Sequence, residues 1–107
     1  MFFEEPPPGF EWDPAASAEC ETRYLFSFAD VARIFENSDY EYLVLKARDK
    51  QYPDGRSEER YTAIGMLERS RVIVAVVYTM REGRIRIITA HPAPEKLRRA
   101  FNEQNGI

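Results

Sequence analysis

The sequence has one cysteine, Cys20, and one histidine, His91. A single cysteine excludes an internal disulfide framework and the paired-cysteine spacing of zinc sites. A single imidazole excludes a histidine-rich metal centre and a two-histidine ribonuclease mechanism. There is no glycine-rich phosphate loop and no G-x-S-x-G elbow, so nucleotide-loop and serine-hydrolase chemistry have no anchor here. Neither a metal nor a cofactor is expected. The longest apolar run, residues 72–78, is far shorter than the roughly 18 residues of a membrane span. At the amino terminus, Glu4 and Glu5 stand where a signal peptide needs cations, and Pro6, Pro7 and Pro8 stand where it needs an apolar stretch. The expectation is a soluble cytoplasmic protein without a membrane partner.

What is present suits one small domain. The chain has 107 residues, 44% hydrophobic and 13% aromatic. At this size a core can close without a covalent or metal staple. Charge is unevenly placed: residues 1–68 hold 7 basic and 15 acidic side chains, and residues 69–107 hold 8 and 3. A pI near 5.2 therefore conceals a basic carboxy-terminal third.

Residues 1–9 read as a proline-rich tail, because three consecutive prolines favour polyproline II and lack backbone donors. The domain is expected over residues 10–107. Phe10-Glu11-Trp12 alternates like a short strand, and Asp13-Pro14 supplies an N-cap and a first-turn proline for a helix over residues 14–23. Ser27 with Asp30 approximates a capping box, and Phe28, Val31, Ala32 and Phe35 form the stripe of a second helix ending near Asn37. The period then changes to two, giving strands over residues 42–47, 60–67, 72–79 and 84–90. The third of these is apolar on both faces and belongs in the middle of a sheet. Arg81-Glu82-Gly83 reads as a bulged hairpin connection. Pro92 and Pro94 should stop the last strand, and Leu97, Ala100 and Phe101 mark a final helix. The order is β-α-α-β-β-β-β-α.

The features that suggest chemistry are cations. Arg84 and Arg86 share one strand face, with Ile85 and Ile87 on the other, and Arg81 sits at the hairpin. Arg98 and Arg99 lie outward on the final helix. Such arginines either discourage edge-to-edge aggregation as solvated charges or hold phosphates through bidentate hydrogen bonds. Phe10 and Trp12 read as core anchors rather than base-stacking platforms. Cys20 reads as packing.

FEWDP (residues 10–14), SFADVARIFE (27–36), EERYTAIG (58–65) and VVYTMREGRIRIITA (76–90), with the closing helix, resemble the BrnT family, the ribonuclease toxins of bacterial type II toxin–antitoxin systems. The resemblance implies an α+β, RelE-like fold: an antiparallel twisted sheet packed with two amino-terminal helices and one carboxy-terminal helix. It also implies an RNA substrate and a cognate ribbon-helix-helix antitoxin, with promoter DNA bound only through the toxin–antitoxin complex. The chain departs from the family pattern in places. Where members carry a lysine and an asparagine in the first helix and then Lys-His-Gly, this sequence has Ala16, Cys20 and Arg23-Tyr24-Leu25. Where they end the last strand with Ser-Ala-Arg, it has Thr89-Ala90-His91.

Cleavage through the 2′-hydroxyl needs a proton acceptor, cations for the phosphate and an acid for the leaving 5′-oxygen. By resemblance, Arg60, Arg81 and Arg86 are candidates for clamping the phosphate. Tyr78 and His91 are candidates for proton transfer, and Tyr24 stands where a histidine is expected. Arg84, Arg98 and Arg99 are candidate RNA contacts. A tyrosine with pKa about 10 is a poor base at neutral pH, whereas an unperturbed histidine, about 6.5, exchanges protons there. Strict alternation would put His91 on the face opposite Arg86. Two functions follow: a ribonuclease toxin that cleaves messenger RNA and is neutralised by its antitoxin, or a catalytically degenerate BrnT-fold protein acting as a protein-binding or inhibitory module.

Overall fold

A computed structural model describes residues 5–36 and 39–107. In chain order the elements are β1 (Phe10–Trp12), α1 (Pro14–Tyr24), α2 (Phe28–Ala32) running into a 3-10 turn (Arg33–Phe35), β2 (Leu43–Lys46), β3 (Lys50–Gln51), β4 (Ser57–Glu58), β5 (Tyr61–Met66), β6 (Ile73–Arg81), β7 (Arg84–Pro92) and α3 (Glu95–Asn105). Five strands form one sheet in the order β1-β7-β6-β5-β2, and β3 pairs with β4 as a separate ribbon. The doubly apolar strand β6 is central, as its sequence requires, because both of its faces are covered.

Local signals set the first helices. The Asp13 side chain accepts the Ala15 amide at 3.0 Å, and Pro14 occupies the first turn. The Ser27 hydroxyl accepts from the Asp30 amide and the Asp30 carboxylate from the Ser27 amide, a closed capping box. The α-helix it starts is only five residues long and tightens into the 3-10 turn. Ile34 and Phe35 of that turn both make contacts with sheet residues. Ile34 lies on Gly65, and the Phe35 ring meets Phe10, Tyr42 and Tyr78. The expected end of this helix at Asn37 lies outside the described residues.

The sheet carries a core on each face. Phe10 and Trp12, buried as expected, join Val74, Val76, Tyr78, Ile87 and Ala90 beneath α1 and α2. On the other face α3 lays Leu97 and Phe101 against Ile64, Ile73, Ala75 and Ala93. Phe101 is fully buried, and deleting a ring so placed costs about 3–5 kcal/mol. The Asn105 side chain accepts the Glu41 amide at 2.9 Å and donates to the Glu41 carbonyl at 3.0 Å, so α3 crosses the sheet from the end of β7 to the approach to β2.

Several expectations need correction. The expected element order lacks the ribbon of β3 and β4, which the structure inserts between β2 and β5. The sheet is mixed rather than antiparallel, because β1 runs parallel to β7. No hairpin joins them, and the long intervening chain supplies the crossover a parallel pair needs. The hairpin is a two-residue turn, Glu82-Gly83, with φ of 51° and 78° and Arg81 paired to Arg84. Both central residues thus satisfy the positive-φ condition of a type I′ turn. Strand β7 runs through Pro92, and Ala93 donates to Ile73. Proline is tolerated there because β1 pairs only as far as Ile87, leaving that edge open. Finally, β5 begins at Tyr61, just after Arg60.

Candidate active site

The arginines nominated from sequence divide among three places. Arg60 and Arg81 converge on one carboxylate that sequence reasoning did not single out, Glu58. Arg60 Nε lies 3.4 Å from Glu58 Oε1 and Arg81 Nη2 lies 3.1 Å from Oε2, while the Tyr52 hydroxyl donates to Oε1 at 3.4 Å. Burial pushes the Glu58 carboxyl up, but hydrogen bonds from Arg81 and Arg60 and the charges behind them outweigh it and hold the group below the ordinary glutamate value. A cavity of about 670 Å³ opens beside this cluster, lined by Tyr52, Arg56, Glu58, Tyr61, Thr79 and Arg81.

The β3–β4 ribbon forms one wall. Its turn is Tyr52-Pro53-Asp54-Gly55-Arg56, closed by the Tyr52 amide donating to Arg56 at 2.9 Å, with Gly55 at φ 89°. Thr79 is buried and fixes the adjoining chain by donating to the Glu59 carbonyl at 2.7 Å. The signals for this wall were in the sequence. An x-Pro-Asp-Gly stretch is a turn with a mechanism, and Glu58 and Arg60 are two residues apart, the spacing that puts extended side chains on one side.

Arg86 lies on the same sheet face as Thr79, its register partner, and pairs with Glu11 of β1 at 3.5 Å. Arg84 is exposed at the hairpin, opposite Arg81. Tyr78 faces the other way: it is only 8% exposed, its ring packs on Phe35 and Tyr61, and burial, followed by the neighbouring Tyr42 and Tyr61, raises its pKa. Arg98 and Arg99 ride on α3 at the opposite end of the sheet and are exposed, Arg99 being paired with Glu95 at 2.8 Å.

His91 corrects a sequence expectation. The register slips by one residue between the Val77–Thr89 and Tyr78–Ile87 pairs, leaving Ile88 extra. This bulge inverts the alternation, so His91 shares the face of Arg86 rather than opposing it. The two remain five residues apart, roughly 16 Å of strand. His91 Nδ1 lies 3.0 Å from the Pro92 carbonyl, and because a carbonyl only accepts, this contact is a hydrogen bond in the tautomer that carries its proton on Nδ1.

A second cavity, of about 390 Å³, lies between α1 and the free edge of β7. Its lining includes Ala16, Cys20, Arg23, Tyr24, Thr89 and His91. Cys20 is a packing residue there, donating to the Ala90 carbonyl at 3.6 Å. Burial first, then the charges of Asp30 and Glu21, push its thiol up to about 11, which leaves it protonated and unreactive at neutral pH.

Residues 12–96 match the family model described as the ribonuclease toxin BrnT of type II toxin–antitoxin systems. The chain belongs to the BrnT family. A comparison with curated proteins gives no match. The BrnT match spans Arg60, Tyr78, Arg81, Arg84, Arg86 and His91 as well as both cavities, and stops before Arg98 and Arg99. Six of the seven positions at which the chain departs from the resembled BrnT pattern, Ala16, Cys20, Arg23, Tyr24, Thr89 and His91, line the second cavity. Leu25, where that pattern has glycine, takes φ 67° at the end of α1 and is 88% exposed. A left-handed conformation costs a non-glycine residue roughly 1–2 kcal/mol. Among the described residues, no group of three or more His, Cys, Asp or Glu side chains is placed to hold a metal ion, and no helix is long and apolar enough to cross a membrane.

Proposed function

We propose that this chain is an active BrnT toxin: a bacterial cytoplasmic endoribonuclease, RelE-like in fold, that cleaves messenger RNA and is neutralised by a cognate antitoxin. Family membership over residues 12–96 carries this reading. The convergence of Arg60 and Arg81 beside a cavity large enough for part of an RNA strand supports it, because phosphate cleavage needs cations held in place before the reaction. One domain over residues 10–107 performs the function, with the proline-rich stretch before it as a tail, of which residues 1–4 lie outside the described residues. Arg84 and Arg86 extend the basic surface along β7, and Arg98 and Arg99 contact RNA more distantly. The antitoxin is of the ribbon-helix-helix class, and promoter DNA is bound only by the complex.

The second reading, a degenerate BrnT-fold protein kept for binding another protein, is favoured by one observation: six of the seven departures from the resembled family pattern fall together around the α1–β7 cavity. Inducible expression in bacteria, with growth and RNA integrity followed together, separates the two. Growth arrest with RNA loss is the toxin result. Arrest with intact RNA, or no arrest, supports the binding module.

A further inference from the structure

Building on the ribonuclease reading, we propose that Glu58 accepts the 2′-hydroxyl proton during RNA cleavage, with Arg81 beside it binding the scissile phosphate. A general base must lie within hydrogen-bond reach of the proton it takes and must be able to accept it. Arginine has no acceptor and is never deprotonated in a protein. Tyr78 faces the α1–α2 core. His91 lies toward the α3 end of β7, opposite Ala75. Among the groups lining the cavity at the Arg81 end, a carboxylate is the natural acceptor, and Glu58 is the one built in. Its side chain is 19% exposed, Arg60 holds one oxygen and Arg81 the other.

The neighbouring carboxylates have other partners. Glu59 accepts from the Tyr61 hydroxyl at 2.9 Å, Asp54 pairs with Arg56 at 2.6 Å on the ribbon turn, and Glu11 pairs with Arg86. The charged and titratable groups around Glu58 are therefore Arg60 from the link just before β5, Arg81 from β6, and Tyr52 with Arg56 from the ribbon, with Glu59 and Tyr61 along the cavity wall. Arg81 is 44% exposed and meets Glu58 through one nitrogen, so the rest of its five-donor fork remains for a phosphate. The paired arginines keep Glu58 ionised before substrate arrives. A bound phosphate then brings negative charge close to the carboxylate and raises its proton affinity when a base is needed.

The step balances without an oxidant, reductant or co-substrate. Glu58 takes the proton from the 2′-oxygen, that oxygen forms a bond to phosphorus, and the bond from phosphorus to the 5′-oxygen breaks. The 5′-oxygen leaves with a proton from water or from the Glu58 carboxyl, and the other product ends in a 2′,3′-cyclic phosphate.

The test uses the purified full chain and its Glu58→Gln and Glu58→Asp variants. Three quantities are measured: single-turnover cleavage of a single-stranded RNA across pH 4 to 8, affinity for its 2′-O-methyl analogue, and Tm. Glu58→Gln is expected to cleave about a hundredfold more slowly, to lose the acid limb of the wild-type pH profile, and to bind the analogue at least as well because a negative charge is gone. Glu58→Asp should recover part of the rate. Cleavage by Glu58→Gln within about threefold of wild type overturns the proposal, as does a loss of analogue binding that accounts for the loss of rate. A lowered Tm with the rate per folded molecule intact makes Glu58 a tether for the ribbon and also overturns it. If the wild type leaves RNA intact, the ribonuclease reading itself falls and takes the proposal with it; an active wild type beside an equally active Glu58→Gln removes Glu58 alone.

Discussion

Gly65→Ala should strain the fold at the contact that seats the second helix. Gly65 lies within β5, opposite Val74, and a Cβ there would sit 2.8 Å from Ile34 Cβ, 2.9 Å from Cδ1 and 3.1 Å from Cγ2. Carbon atoms prefer about 3.5–4.0 Å, so one added methyl overlaps three atoms of the same side chain. Ile34 cannot swing aside. It is 2% exposed, its branched Cβ is stiff at χ1, and one clashing atom is that Cβ, which moves only with the backbone. Relief requires the 3-10 turn to lift from the sheet and loosen the Phe35 contacts with Phe10 and Tyr78. Overpacking of this kind costs about 1–3 kcal/mol, and backbone-linked overlap points to the upper half of that range. For a chain of this length the midpoint should fall by roughly 10 °C, read by circular dichroism melting and urea titration. Ile34→Ala alone should cost about 2–5 kcal/mol by leaving a cavity. Combined with Gly65→Ala it should cost less than the sum by at least about 1 kcal/mol, because the new methyl enters the vacated space. A Gly65→Ala melt within about 2 °C of wild type, or strict additivity in the double variant, would refute this account of the contact.

Arg86→Ala should weaken RNA binding by about 1–3 kcal/mol, measured by fluorescence anisotropy. Because its pair with Glu11 is partly exposed, stability should fall by no more than about 1 kcal/mol; unchanged affinity would return Arg86 to the role of a solvated edge charge. His91→Gln keeps hydrogen bonding and deletes the titration, so cleavage should drop about a hundredfold if the imidazole is a general acid or base, and near-full activity with an unaltered pH profile would eliminate it. The Glu58 carboxyl is held below its ordinary value, so the folded state binds its proton less readily than the unfolded chain does. Its stabilising contribution is complete above the ordinary glutamate pKa, about 4.3, and is lost as pH falls through the lower folded value. Acid unfolding of Glu58→Gln should therefore be shallower over that window than that of wild type.

Much of the fold was legible because its signals are local. Asp13-Pro14 and the Ser27–Asp30 box mark helix starts through side chains that reach only a few residues, and the doubly apolar run in β6 announces a covered strand. What escaped was set at a distance. The parallel pairing of β1 with β7 depends on a crossover that no short motif encodes. The bulge at Ile88 leaves no glycine in the strand to betray it, yet it decides which face His91 occupies. At the candidate site the cations were found and their counter-charges were not. Glu58 and Glu11 look like surface acids in a sequence, and only the ribbon and the β1–β7 register bring them to Arg60, Arg81 and Arg86. The six departures around the α1–β7 cavity come from two stretches far apart in the chain, so their convergence too belongs to the fold.

The central claim is that this BrnT chain cuts RNA, and its most direct test is incubation of the purified protein with a single-stranded RNA and mapping of the product ends. The account predicts internal cuts leaving 2′,3′-cyclic phosphates, no cut where the 2′-hydroxyl at the scissile position is replaced by hydrogen, and strong loss of cutting in Arg81→Ala. Intact RNA after incubation with folded protein, or cleavage that survives loss of the 2′-hydroxyl, would contradict it.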